Sequence, residues 1–259
     1  MSSSIVKVED FAIMKADRDA VRDMVEANLG GGEITEFDLP RAKMPSGEMP
    51  AFVFNSGGGK PEMLTEIVGV IVYHADRRAY WSQGLDEGGG GTPPDCWSPD
   101  AMKGIGMIAE KYGGNCKTCP MAAFGSSHKR DGTPGRGQAC QQRKMIFILI
   151  KDRILPIVLS VPPSSLKRVR TYMTSLVSAG LPVHNVLTRL TLAATKNADG
   201  TAFCNLDLEM AGQLEDAAAA SMNSFRQMFS AMFRAKQPQS QGEYVEATAG
   251  GEKVENPNG

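Results

Sequence analysis

The segment from Gly88 to Gln138 limits the fold of this chain more than any other. It runs for over 40 residues without the apolar spacing of a strand or a long helix, apart from a short helical pattern near Met102 to Lys111. A stretch of that kind inside a compact domain needs something other than an apolar core to hold it. Cys96, Cys116 and Cys119 lie within it, and Cys140 follows just beyond. Cys116-Lys117-Thr118-Cys119 is a C-x2-C pair, by which two thiolates grip one ion from a single tight turn, and Cys96 and Cys140 flank it at 20 and 21 residues. The pattern reads as a tetrahedral Zn2+ site with four thiolate ligands. Such a site has no open position for water, so the metal is expected to be structural and to supply folding free energy that the loop lacks. An iron–sulfur cluster is the alternative, because Cys-Pro (Cys119-Pro120) occurs in ferredoxin-type motifs; a loop without metal is the remaining one. Cys204, among Ala202, Phe203 and Leu206, is expected to be a buried apolar residue outside the site. His128 reads as part of a surface turn.

The net charge of −1 conceals a strong asymmetry. Residues 101–196 hold 15 Lys/Arg and only three acids, Glu110, Asp131 and Asp152, whereas residues 1–100 hold nine Lys/Arg against 17 acids and residues 197–259 four against nine. A segment so rich in cations is the footprint of a polyanion partner, or else a solvated face matched by the flanking acids. Lys117, Lys129, Arg130, Arg136, Arg143 and Lys144 cluster in or beside the cysteine loop, with glycines between several of them. Arg77 and Arg78 precede Tyr80 and Trp81, which read equally as packed rings or as stacking platforms. Phe124 reads as a packed ring or as a stacking platform, and Phe147 is expected in the core. Lys167, Arg168 and Arg170 open a helix, where cations oppose the macrodipole and an anion is the natural compensation.

The rest of the chain alternates between strand and helix signals. Asp17 to Leu29 fits a short amphipathic helix stopped by Gly30, Ile34 to Leu39 alternates like a strand, and Ala51 to Phe54 is a short strand. Glu66 onward is β-branched and aromatic, with a tight turn expected at Ala75 to Arg78 and a return strand from Ala79. Met145 to Ile150 and Ile154 to Val161 read as buried strands. A helix follows, capped by Ser164 or Ser165, with Leu166, Val169, Met173, Leu176 and Val177 on one face. Val186 to Ala193 and Thr201 to Leu208 form a hairpin around Asn197 to Gly200. Residues 209–236 carry an amphipathic helix, rich in methionine, that packs on its own domain or docks replication or recombination proteins. Residues 237–259 are acidic, carry almost no large apolar side chain and are expected to be disordered. The organisation is therefore an acidic segment over 1–62, a core over 63–208 with the cysteine insertion at 94–141, then the helix and the tail. The fold class is mainly β with flanking helices, an OB-like small β-barrel with a zinc-bearing loop. A mixed α+β sheet with a zinc insertion fits the same order of elements.

Composition adds exclusions. The first residues show no basic region followed by an apolar stretch, and Met145 to Ile150 is too short to span a bilayer, so a cytoplasmic protein without a membrane partner is expected. No G-x-x-x-x-G-K-[ST], H-E-x-x-H, G-x-S-x-G or deaminase H-x-E…P-C-x-x-C pattern occurs, and no enzymatic activity is expected.

The strings Pro94-Asp95-Cys96-Trp97-Ser98-Pro99-Asp100, Gly114-Asn115-Cys116-Lys117-Thr118-Cys119-Pro120, Phe124-Gly125-Ser126 and Gly137-Gln138-Ala139-Cys140 precede an apolar strand and a Pro163-to-Lys167 helix start. Over about residues 65–208 this order resembles proteins of bacteriophages and mobile elements that look like zinc-containing single-stranded-DNA-binding proteins, similar in plan to the helix-destabilising proteins of T-even phages. The resemblance implies an OB fold with a zinc-bearing insertion, single-stranded DNA as ligand, a role in replication or recombination, and a bacterial host cytoplasm. The T-even site uses one His with three Cys, whereas four Cys are present here, so the likeness is of plan rather than motif. Two other functions fit the same residues: a zinc-bearing interaction or transcription/polymerase accessory factor, and an iron–sulfur nucleic-acid enzyme subunit.

Overall fold

The computed structural model describes residues 4–6, 18–30, 38–55, 60–82, 93–128, 132–151, 153–197, 200, 202–232 and 247–248. The strands are β1 (Ser4–Val6), β2 (Arg41–Lys43), β3 (Pro45–Ser46), β4 (Phe52–Asn55), β5 (Glu62–Leu64), β6 (Glu66–Tyr80), β7 (Cys96–Ser98), β8 (Gln141–Leu149), β9 (Ile157–Val161), β10 (Val186–Lys196), β11 (Ala202–Leu214) and β12 (Ala247–Thr248). The helices are α1 (Arg18–Leu29), α2 (Met107–Lys111), α3 (Leu166–Ser178) and α4 (Asp216–Met232). The protein is mainly β. Its main sheet runs β1-β11-β10-β6-β8-β9-β2-β4-β5, with β7 paired to β6 off that path. The sheet is open and curled into a half-barrel.

Alternation along the central strands splits the core into two layers, because successive side chains point to opposite faces. Met145, Phe147 and Leu149 of β8 face one layer with Val70 and Val72 of β6, while Ile146 and Ile148 face the other with Ile67 and Ile71. A register shift between Ile71 and Tyr73 lets β6 curl, and it brings the Tyr73 and Phe147 rings to 5.2 Å. α4 covers the first layer with Ala218, Met222, Phe225 and Phe229, a stripe at helical spacing. Each fully buried ring or branched side chain there stabilises the fold by roughly 1.5–3 kcal/mol. α3 covers the second layer through Val169 and is pinned by polar contacts, with the Tyr172 hydroxyl 2.7 Å from Thr188 Oγ1. Ser165 does not cap α3 with its side chain; its Oγ accepts from the Leu206 N–H at 2.9 Å and ties the helix start to β11. Gly69 is needed on β6, since a Cβ there would lie 2.5 Å from the Leu149 carbonyl oxygen.

Several expectations need correcting. Ala75 to Arg78 is not a turn: β6 runs on through Tyr80, and Asp76, Arg77 and Arg78 pair with Lys144, Arg143 and Gln142 of β8. The Lys144–Asp76 ion pair (3.0 Å) accommodates charge within the sheet. β11 extends to Leu214, so residues 209–214 are strand and α4 starts at Asp216. Glu209 is held there by Arg189, 2.7 Å away on the neighbouring strand. Val177 is exposed rather than on the packed face of α3, whose buried residues are Val169, Tyr172 and Leu176. The helical pattern near Met102 yields only the five residues of α2. Within the tail expected to be disordered, β12 pairs in parallel with β3. Of the strand expected at 34–39, Asp38 and Leu39 are not in a strand, and its other residues, the other tail residues and the glycine run at 88–91 lie outside the described residues. No helix among the described residues is long and apolar enough to cross a membrane.

Candidate nucleic-acid interface and cysteine cluster

Residues 95–140 form a small module docked on the far end of β6. β7 pairs with that end, Tyr80 opposite Cys96 and Arg78 opposite Ser98. The Asp100 carboxylate organises the next turn: it accepts from the Ser98 hydroxyl (3.0 Å) and from the Met102 and Lys103 N–H groups (2.8 and 2.9 Å). Those backbone donors hold its carboxyl below the usual carboxylate range. Backbone bonds then bring the C-x2-C turn back, with the Cys116 N–H on the Met102 carbonyl at 2.9 Å and the Gly104 N–H on Gly114 at 2.8 Å. The Cys140 N–H reaches the Met121 carbonyl at 2.7 Å. Gly106, at φ +114°, passes so close to Asp95 that a Cβ would lie 2.5 Å from its carbonyl oxygen.

The result is convergence. Cys96, Cys116, Cys119 and Cys140 all line one cavity of about 20 Å³, beside Tyr80 and Tyr112. That volume is about the size of one water or one ion. All four are free thiols, and Cys96, Cys116 and Cys140 are buried. Burial pushes the thiols of Cys96 and Cys116 up and that of Cys140 up to about 12, opposed in the latter two by the Arg78 guanidinium. Arg78 also donates to the Cys140 carbonyl (3.3 Å) and to Gln142 Oε1 (2.7 Å). As the side chains stand, no group of three or more His, Cys, Asp or Glu among the described residues is set to hold a metal ion. Cys204 lies elsewhere, its thiol on the Gly47 and Met49 carbonyls at 3.2 and 3.4 Å.

A second feature lies along α3. Lys144 and Gln142 of β8, Lys167, Arg170 and Thr174 of α3, and Asp76 line an open groove of about 480 Å³. Lys167 and Arg170 are exposed, and Lys144 is committed to Asp76. Leu166, Met173 and Val177 add apolar surface to the same groove. The combination of cations and apolar surface suits an anionic ligand with flat, hydrophobic parts.

The candidate cations divide accordingly. Lys144, Lys167 and Arg170 come together in the groove. Arg168 is paired with Asp207. Lys117 and Arg136 are exposed on the cysteine module. Arg77 and Arg143 are corrections: they are buried at 4% and 3% exposure, because their guanidinium groups serve the interior. Arg77 donates to the Pro99 carbonyl, and Arg143 to Gln141 Oε1 at 3.2 Å. Arg78 lies against the thiols rather than in the groove. Tyr80 lines the cysteine cavity, with its hydroxyl pushed up by burial and then by Asp95. Trp81 is half-buried, and Lys129 and Arg130 lie outside the described residues.

Phe124, open between a packed ring and a stacking platform on sequence grounds, is 83% exposed. The flanking Gly125 and Ser126 signal a turn tip. Met102, Ile105 and Met107 are also exposed on this module. Thr174 and Gln142 carried no signal, since only the packing of α3 beside β8 brings them into the groove.

No protein-family description, curated protein or solved structure matches this chain.

Proposed function

We propose that this protein is a non-enzymatic binder of single-stranded nucleic acid, DNA in the first instance, acting in the replication or recombination of a phage or mobile element. The observation that carries the reading is the groove in which exposed Lys167 and Arg170 stand beside the Lys144–Asp76 pair, with apolar surface from Leu166, Met173 and Val177. Cations there follow phosphates while unstacked bases cover Leu166, Met173 and Val177. The curled sheet is read as OB-like, with the cysteine module as its insertion. In that module a structural Zn2+ would be held by Cys96, Cys116, Cys119 and Cys140. An ion-sized cavity lined by four thiols favours it, and the Arg78 guanidinium beside them offsets the negative charge of four thiolates. Zinc would give the module a centre that its exposed apolar residues do not provide. Fluorescence anisotropy with a labelled oligo-dT at two salt concentrations, with metal analysis of the same sample, tests both halves. Saturable, salt-sensitive binding and one zinc per chain are expected.

A second reading is favoured by exposed Met102, Ile105 and Met107: the module docks a protein partner, as an accessory factor would. Absence of oligo-dT binding at low salt would select it.

A further inference from the structure

Phe124 is 83% exposed on a well-bonded backbone. Phe124 sits on the cysteine module immediately before Gly125, which takes φ +85°. The turn is tied on several sides. The Ala123 N–H bonds the Pro120 carbonyl (3.1 Å), and the Gly125 N–H bonds the Gly137 carbonyl (2.9 Å). The Ser126 hydroxyl donates to the Ala123 carbonyl (2.7 Å) and accepts from the Ala139 N–H (2.9 Å). The opposing segment is Gly135-Arg136-Gly137, whose glycines permit the approach: a Cβ at Gly135 would fall 2.4 Å from Ser127 Oγ. A fixed backbone thus holds an aromatic ring in water, with an exposed arginine on the segment bonded to it.

We infer that Phe124 is a base-stacking platform and that Arg136 contacts the neighbouring phosphate, so that the bound single strand runs over the cysteine module as well as through the α3 groove. The inference rests on the single-strand reading above. Burying the ring against a base removes apolar surface from water without asking the turn to reorganise, and every base offers a π face. Among the described residues the module's cations are Lys103, Lys111, Lys117 and Arg136, all exposed, which favours nucleic acid over an apolar protein surface as the occupant.

The test is oligo-dT binding by the full chain with Phe124→Ala, Phe124→Trp and Arg136→Gln variants across a salt series. Phe124→Ala should weaken binding roughly 5- to 150-fold, as expected for loss of one stacked base, with its salt slope unchanged because a ring neutralises no phosphate. Phe124→Trp should restore affinity and add an indole emission that is quenched on binding. Arg136→Gln should lower the salt slope by about 0.7. Melting temperature and metal content should match wild type in all three, since both side chains are exposed. Wild-type affinity in Phe124→Ala overturns the inference while leaving the single-strand reading intact, and assigns the ring to protein contacts. Failure of the wild-type protein to bind oligo-dT at all overturns the parent reading, and this inference with it.

Discussion

Replacing Lys167 and Arg170 together by glutamine should move binding and stability in opposite directions. Both side chains are exposed on α3 and line the groove. If each neutralises one phosphate of a single strand, each contributes about 0.7 to the slope of log affinity against log salt. Between 50 and 200 mM salt, the wild-type protein should then lose about sevenfold more affinity than the double variant. Lys167 also occupies the first turn of α3, where a cation opposes the helix macrodipole and no acid offsets it. Removing it should stabilise the fold by roughly 0.3–1 kcal/mol at low ionic strength. Arg168→Gln is the internal control: its cation is already paired with Asp207, so its slope should change less. Anisotropy titrations against oligo-dT at four salt concentrations, with urea melts of the same preparations, read both quantities. Identical salt slopes for the wild-type protein and the folded double variant would refute the placement of phosphates in this groove.

Further outcomes are expected elsewhere. Cys116→Ser/Cys119→Ser should lose the bound zinc, while Cys204→Ser should keep it; full zinc occupancy in the double variant, read by mass spectrometry of the metal, would refute the ligand set. Gly69→Ala should cost about 1–3 kcal/mol by denaturant unfolding, because its Cβ meets backbone rather than a movable side chain. Burial, and then Lys144, holds His74 below the usual imidazole value. The unfolded chain therefore takes up the proton first, and this contribution to stability is complete above about pH 6.5 and falls as the pH drops below it. His74→Gln should flatten that part of the urea midpoint's pH profile; an unchanged profile would count against a buried neutral imidazole.

Much of the sheet was legible because its signals are local. Met145 to Ile150 is uniformly apolar and supplies the doubly covered part of β8, and β10 and β11 pair antiparallel as the expected hairpin, with the Gly200 N–H on the Asn197 carbonyl at 3.0 Å. Asp76-Arg77-Arg78 misled because three charged residues in a row look like a solvated turn. Their compensation comes from Lys144, Gln142 and Pro99, which are distant in sequence. The same distance effect hid the strand character of residues 209–214, which is set by pairing with β10. In the candidate site, spacing pointed to four cysteines that line one cavity. It could not separate Arg77 and Arg143, which alternation turns inward, from Lys167 and Arg170, which face solvent. Phe124 shows the limit most plainly: an aromatic side chain fits the core and a stacking platform alike, and only the tertiary placement of its turn puts it in water.

Recognition of single strands through stacked bases and neutralised phosphates requires that one oligonucleotide bind differently as a single strand and as a duplex. Labelled dT oligomer and its dT–dA duplex of equal length should be titrated with the full chain at 50 and 200 mM salt. The single strand should bind at least tenfold more tightly at both concentrations, with affinity falling steeply as salt rises. Equal affinity for the two forms would contradict stacking and reduce the groove to a general basic surface, and no binding of either at 50 mM would contradict the claim outright.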